Sequence, residues 1–365
     1  MTPLAVGAFI PEVAVMPPSA ALMSLATAAP PNEVLQTDAV EIARNLFAGR
    51  FDDFERLSAV FANTGIRARR LAQPLEWYFE PRGWPERTAA YLAAAESLFI
   101  EAATAALADA GLTGADVDTV VTVSSTGIAT PSLEARVLGR MGFREDIARV
   151  PVFGLGCAGG VSGMSLGARL AVADPGSVVL VVTIELCTLA FRLDELTKAN
   201  VVATALFGDG ASACVLRAGE SRGYQVEGSG EHTWPDTLDI MGWNIDPMGF
   251  GVIFAQAIPP FVRRRMGPAL DGIIGRMGLE RGDIGRFVCH PGGAKVVVAL
   301  EGALGLGQGS LDVERQVLSD YGNMSAPTVM FVLERVLKAA PPERLFLSSL
   351  GPGFTASGLS LVRAA

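Results

Sequence analysis

The sequence predicts an α/β protein made of two duplicated halves, and two observations carry that reading. Short β-branched runs bounded by turn signals, such as Val117 to Val123 and Ser177 to Ile184, alternate with alanine-rich stretches of helical length, such as Glu86 to Ala110. A weak internal repeat relates the two parts. Gly111-Leu112-Thr113-Gly114-Ala115-Asp116-Val117 resembles Gly278-Leu279-Glu280-Arg281-Gly282-Asp283-Ile284 at an offset of 167 residues, and each leads into an apolar run. Gly156-Cys157-Ala158 then stands 166 residues before Gly322-Asn323-Met324, and Val178-Val179-Leu180-Val181 stands 166 before Arg344-Leu345-Phe346-Leu347. We divide the chain into an N-terminal half, 1–217, and a C-terminal half, 218–365. Two copies of one unit face each other across a pseudo-twofold axis, and a shared site at that axis follows.

Taken in order, residues 1–34 alternate apolar runs with the breaks Pro17-Pro18 and Pro30-Pro31, giving a first strand over Ala20 to Ala28. A helix follows from Thr37, a capping residue type, to Phe47. The basic cluster Ile66-Arg67-Ala68-Arg69-Arg70 is a solvated face or a landing site for phosphates. The long helix ending at Gly111 precedes the strand Val117 to Val123 and a polar loop, Ser124-Ser125-Thr126-Gly127. Val150 to Gly156 is a strand running into a sharp glycine turn, with Cys157 at the start of a helix of small residues. Ser177 to Ile184 is a buried strand with Glu185 at its end, and Phe207-Gly208-Asp209-Gly210 turns into the strand Ala211 to Leu216. Residues 218–250 are polar and glycine-rich, an antiparallel excursion or an interdomain connection. A helix closing over Asp271 to Met277, a strand Phe287 to Cys289, a helix Ala294 to Leu304, a last helix from Met324 and strands Arg344 to Leu347 and Gly358 to Val362 complete the chain.

Composition bounds what such a molecule does. Half of the 365 residues are hydrophobic and 18% are charged, with mean hydropathy +0.37, so a large core forms and disorder is excluded. The 29 Lys and Arg against 38 Asp and Glu leave a net charge of −9, which argues against nucleic acid as a partner. Cys157, Cys187, Cys214 and Cys289 lie far apart without CxxC spacing, so neither a metal site nor a disulfide framework is expected. The first basic residue is Arg44, so no charged secretory leader precedes the apolar stretch at the start. No apolar run in the sequence approaches the ~18 residues of a membrane span. The expectation is a cytoplasmic protein.

Cys157 is the candidate nucleophile. At a helix N-terminus, unpaired N–H groups and the helix dipole favour thiolate over thiol. Only two histidines are present, so the search for its base is short. His232 lies in a polar segment beside Trp234-Pro235 and is expected in an exposed loop. His290 ends an apolar strand in Phe287-Val288-Cys289-His290-Pro291-Gly292-Gly293, and Asn323 occupies the repeat position of Cys157. Cys157, His290 and Asn323 therefore converge although they are spread along the chain.

These residues resemble the type III polyketide synthases, the chalcone-synthase-like branch of the thiolase-fold condensing enzymes. The resemblance covers nearly the whole chain. It rests on Gly156-Cys157-Ala158-Gly159-Gly160, Ala205-Leu206-Phe207-Gly208-Asp209-Gly210, His290-Pro291-Gly292-Gly293, Gly322-Asn323-Met324-Ser325 and Gly351-Pro352-Gly353-Phe354-Thr355. It implies a thiolase fold, a five-layered αβαβα sandwich, working as a homodimer. Cys157 then carries the acyl chain, His290 and Asn323 bind and decarboxylate the extender, and Phe207 is the gatekeeper between a CoA tunnel and the cavity. Aligning Gly249 to Pro259 with the family's second gate puts Val252 there, widening the entrance. Ser125, Thr126, Thr130, Cys187, Ala190 and Ser325 are small candidates for the cavity wall, and Trp243 narrows the cyclisation chamber. Arg67 is the candidate contact for CoA phosphate. Backbone amides of Cys157 and of the loop Gly351, Pro352, Gly353 and Phe354 form an oxyanion hole.

Small apolar walls suit an alkyl chain, and the whole looks like the bacterial alkylresorcinol and alkylpyrone synthases. The expected reaction loads a medium- or long-chain fatty acyl starter on Cys157, extends it with malonyl-CoA and cyclises the product, aldol closure to a resorcinol being preferred over a pyrone. The substrates are acyl-CoA and malonyl-CoA, with an acyl carrier protein as an alternative starter donor; no cofactor or metal is required. A β-ketoacyl synthase III-like single condensation, a cysteine hydrolase and a non-catalytic acyl-binding protein are the alternatives.

Overall fold

The structure is a computed structural model that describes residues 19–47, 59–195 and 197–364; the Pro17-Pro18 break lies outside them. The first half runs β1 (Ala20–Ala28), β2 (Asn32–Leu35), α1 (Gln36–Phe47), β3 (Ala68–Leu71), α2 (Trp84–Ala110), β4 (Thr119–Val123), α3 (Leu133–Met141), β5 (Ala148–Val152), α4 (Gly159–Ala173), β6 (Val178–Leu186), α5 (Lys198–Leu206) and β7 (Asp209–Ala218). The second runs β8 (Tyr224–Thr233), β9 (Met241–Asp246), β10 (Gly249–Phe254), α6 (Ile258–Arg276), β11 (Arg286–Cys289), α7 (Ala294–Leu304), α8 (Asp312–Tyr321), α9 (Ala326–Lys338), β12 (Arg344–Gly351) and β13 (Thr355–Arg363).

Nine strands hydrogen-bond in the order β11-β12-β13-β8-β1-β7-β6-β4-β5. The repeat is visible in that order: β4, β6, β7 and β1 of the first half correspond to β11, β12, β13 and β8 of the second. The equivalent strands β1 and β8 meet antiparallel at the centre, with Ala20 opposite Val226 and Leu22 opposite Tyr224, as a pseudo-twofold axis requires. The repeated turns also match in detail. Gly111 and Gly278 both adopt φ +73°, closing α2 and α6, where a side chain would be strained. Five residues later in each copy, a carboxylate caps a short 3₁₀ turn, Asp116 accepting from Thr113 N at 2.8 Å and Asp283 from Glu280 N at 2.7 Å.

Alternation along the strands sorts side chains into three hydrophobic layers. On β6, Leu180, Val182 and Ile184 face α2, while Val179 and Val181 face the middle. On β12, Leu345 and Leu347 face the middle and Phe346 faces α6 and α7. Helices α4 and α9 fill the middle, each touching strands of both halves. With α2 and α3 outside one part of the sheet and α6 and α7 outside the other, this is the five-layered αβαβα thiolase fold. By length and composition α2 could cross a membrane. Here it buries Ala95, Phe99, Ala102 and Ala106 against the sheet and serves as a core helix.

Several expectations are corrected. The polar stretch after residue 218 contributes β8 to the main sheet, so His232 stands on a strand and not in a loop. Helices α3, α5 and α8 are additional to the sequence reading. The last helix starts at Ala326, because Asn323 first bridges to Phe207 and Ser325 takes φ +57°.

Candidate active site

Three loops from the two halves meet at the axis. β5 runs into the turn at Gly154 and Gly156, whose N–H groups both donate to Ser125 Oγ at 3.1 Å. That turn sets Cys157 in a single 3₁₀ turn directly before α4. β11 delivers His290, whose N–H donates to Ser348 O at 2.8 Å, continuing the pairing with β12. Asn323 follows α8, and its backbone is stitched to the Phe207 turn: its N–H donates to Leu206 O at 2.8 Å and its carbonyl accepts from Gly208 N at 3.1 Å. Its Oδ1 lies 4.0 Å from Cys157 Sγ and accepts from Ser325 N at 2.8 Å, while Nδ2 donates to Gly292 O at a long 3.3 Å. Cys157, His290 and Asn323 are all buried and line one cavity of about 410 Å³.

The electrostatics differ from the expected preformed thiolate. Burial pushes the Cys157 thiol up to about 11, only partly opposed by a hydrogen bond with the Ser325 hydroxyl. Burial also pushes the His290 imidazole down to about 4, and neither of its nitrogens has a hydrogen-bond partner among the described residues. The unliganded site therefore holds a neutral thiol and a neutral imidazole. The open imidazole nitrogens are free to take a proton from sulfur or to donate to an incoming carbonyl.

Glu185 is fully buried beside them, and the sequence reading noted it only as the end of a strand. Its Oε2 accepts from Ser125 N at 2.9 Å, while Oε1 has no partner. Burial raises it to about 7, opposed by donors from Ser125, Thr126 and Ser325. A carboxyl so poised exchanges protons at neutral pH.

Cys157, Met241 and Phe254 also border a second lobe of about 440 Å³, lined by Ser125, Thr126, Cys187, Phe207, Trp243, Val252, Ser325 and Pro352. Cys187, Phe207 and Val252 in turn border a third, strongly apolar compartment of about 700 Å³ that includes Ala190, Ala39, Ala203 and Leu75. Trp243 is fixed by its Nε1 donating to Ser125 O at 2.7 Å and faces Phe207 with ring centroids 6.4 Å apart. Phe254, also 6.4 Å from Phe207, supplies the aromatic partner at this constriction. Val252 lies two residues earlier on the same strand, so the opening is narrower than Val252 alone implies. The period-2 run Phe250, Val252, Phe254 was the available signal for it.

Several expected residues stand apart from these cavities within one chain. Thr130 is exposed and lines none of them. Phe354, expected to contribute a backbone amide, packs its side chain in the core between Trp234 and Phe261. Pro352 reaches the cavity but has no N–H to donate, while Gly351 lies so close to the cysteine turn that a Cβ there would sit 2.4 Å from Leu155 O. Gly353 presents its carbonyl to Thr237 Oγ1 at 3.4 Å. Arg67 is exposed on the outer surface and pairs with Asp320 at 3.3 Å.

Comparison with known proteins agrees with this geometry. The family model for the N-terminal domain of chalcone and stilbene synthases matches residues 79–220, and that for the C-terminal domain matches residues 225–363. A 1,3,6,8-tetrahydroxynaphthalene synthase of Streptomyces peucetius subsp. caesius is 40% identical, covering 90% of this chain and 89% of that protein. A putative chalcone synthase of Bacillus subtilis is 34% identical over 92% of this chain and 96% of its own. An alpha-pyrone synthesis polyketide synthase-like protein of Mycobacterium tuberculosis is 28% identical over 93% and 90%. The crystal structure of 1,3,6,8-tetrahydroxynaphthalene synthase from Streptomyces coelicolor, a bacterial type III polyketide synthase, superposes with TM-score 0.90 at 27% identity, covering 94% of this chain and 99% of that one.

Proposed function

Since the chain belongs to the chalcone and stilbene synthase family and is a type III polyketide synthase, a decarboxylating condensing acyltransferase, we propose that its starter is a medium- or long-chain fatty acyl group. Acyl-CoA loads Cys157: the thiol proton passes to His290, sulfur attacks the thioester carbonyl, and CoA leaves as its thiol. Malonyl-CoA then loses CO₂. The electron pair of the broken C–C bond becomes an enolate, whose oxygen is held by His290 and by the second N–H of Asn323. The enolate carbon attacks the acyl-cysteine carbonyl, the C–S bond breaks to release the Cys157 sulfur, and the extended β-ketoacyl chain is left on CoA; its transfer back to Cys157 with loss of CoA permits repeated rounds, and the poly-β-keto chain closes to an alkylresorcinol or alkylpyrone. Acyl-CoA and malonyl-CoA are the substrates, and the working unit is a homodimer.

The observation that supports a fatty starter is the third compartment, apolar and separated from the reacting centre only by Cys187, Phe207 and Val252. An alkyl tail lying there leaves the other two lobes for extension and folding of the polar chain. We expect Ala203→Phe, which projects a ring from α5 into this compartment, to lower kcat/KM for long acyl-CoA starters about tenfold or more while sparing short ones. An unchanged starter profile counts against the reading.

A second reading is favoured by the 40% identity to a tetrahydroxynaphthalene synthase: priming and extension by malonyl-CoA alone, giving a naphthalene. It leaves the apolar compartment without a use. Product mass separates the two, and the same assay with acyl carrier protein thioesters identifies the starter donor.

A further inference from the structure

Glu314 lies on α8 with its side chain fully buried. Its Oε1 accepts from Cys289 N at 3.1 Å, and its Oε2 takes Arg286 Nη2 at 2.6 Å. β11 is the outermost strand of the sheet among the described residues, so the N–H groups on its outer side meet no strand. In the first half the equivalent strand β4 does have a neighbour there, β5, and Ser124 N donates to Val152 O at 3.1 Å. At the repeat offset of 167, Cys289 corresponds to Thr122, two residues before Ser124. N–H groups two apart on a strand point the same way. The Glu314 carboxylate therefore stands where a strand carbonyl stands in the other copy, and it pins the residue immediately before His290.

The helix that carries Glu314 leads to the third member of the site. α8 ends at Tyr321 and passes through Gly322 into Asn323. One buried carboxylate thus ties the strand that ends at His290 to the helix that delivers Asn323. A carboxylate in this place needs a counter-charge, since burying it alone would be costly, and Arg286 supplies it.

We propose that Glu314, held by Arg286, is a positioning residue that sets the separation of His290 and Asn323 and so serves decarboxylation and extension, which need both residues, more than the loading of Cys157, which needs His290 alone. This rests on the reading in which those two residues hold the enolate. The test separates the half-reactions. Acylation of Cys157 is followed by intact mass after mixing with an acyl-CoA, and decarboxylation by conversion of malonyl-CoA to acetyl-CoA. Glu314→Ala is expected to lower the decarboxylation rate about 10- to 100-fold with KM for malonyl-CoA little changed, because small displacements of reacting groups carry penalties of that size, and to lower the acylation rate at least several-fold less, since only His290 of the pair acts there. Glu314→Gln, which keeps an acceptor for Cys289 N–H, is expected to retain more activity, and it carries the test if the alanine variant does not fold. Decarboxylation and acylation falling by the same factor, or neither falling, overturns the positioning role. Asn323→Ala is the control: if it decarboxylates normally, the reading of the site fails and the positioning role goes with it. If only the Glu314 variants decarboxylate normally, positioning alone fails.

Discussion

At the scale of single residues, burial decides the protonation of the site. Cys157, His290 and Glu185 lose water together, and each shift favours the neutral form. This was not legible in the sequence, which shows Cys157 at a helix start but not how completely the second half covers it. Glu185 offers a clean measurement. Its folded value of about 7 stands above an unfolded value of 4.5, so the folded state binds the extra proton between those values. The stability that proton confers is present below pH 4.5 and is lost as pH rises towards 7. Glu185→Gln removes the effect, and the wild type should lose about 3 kcal/mol relative to the variant across that window. Denaturant unfolding at pH 4.5 and pH 7.5 reads it directly. A difference independent of pH would mean that Glu185 is ionised and solvated in the folded protein.

At the scale of elements, the repeat made most of the fold legible. The αL glycines, the paired 3₁₀ turns and the central strands could be set opposite one another because both copies kept the same turn chemistry. Elements without that signature were missed. α3, α5 and α8 are short, β8 is polar because its second half is partly exposed, and the start of α9 is displaced by the strained Asn323 to Ser325 link. Where α4 and α9 cross at the axis, contact depends on small residues. Gly160 of α4 lies against Ala326 of α9, its repeat equivalent, and a Cβ at Gly160 would sit 2.4 Å from Ala326 O. Backbone cannot yield as a flexible side chain can. Gly160→Ala is therefore expected to destabilise the protein by about 1–3 kcal/mol, despite alanine's better helix propensity, as measured by chemical denaturation. A neutral or stabilising result would show that the two helices can move apart.

At the scale of the whole molecule, the duplication explains why catalytic residues so far apart in sequence share one cavity. Equivalent strand-to-helix junctions, one ending in Cys157 and one in Asn323, necessarily face each other at the axis, and His290 follows from the strand beside them. That trio was legible because only two histidines are present and only one ends an apolar strand. The walls were harder. Ser325, two residues after Asn323, and Ser125, in the polar loop that ends β4, were found. Phe254, Met241 and the apolar compartment behind Phe207 were not, because their contacts with the site are made only by tertiary packing of the β9–β10 hairpin and α1. The fatty-acyl reading rests on that compartment. The most direct test is product mass spectrometry of the purified protein given malonyl-CoA with acyl-CoA starters from acetyl to long-chain, alongside Cys157→Ala. The account expects alkylated resorcinols or pyrones that retain the long starter and vanish in the variant. A naphthalene formed from malonyl-CoA alone whatever starter is offered, or a single β-ketoacyl product, would contradict it.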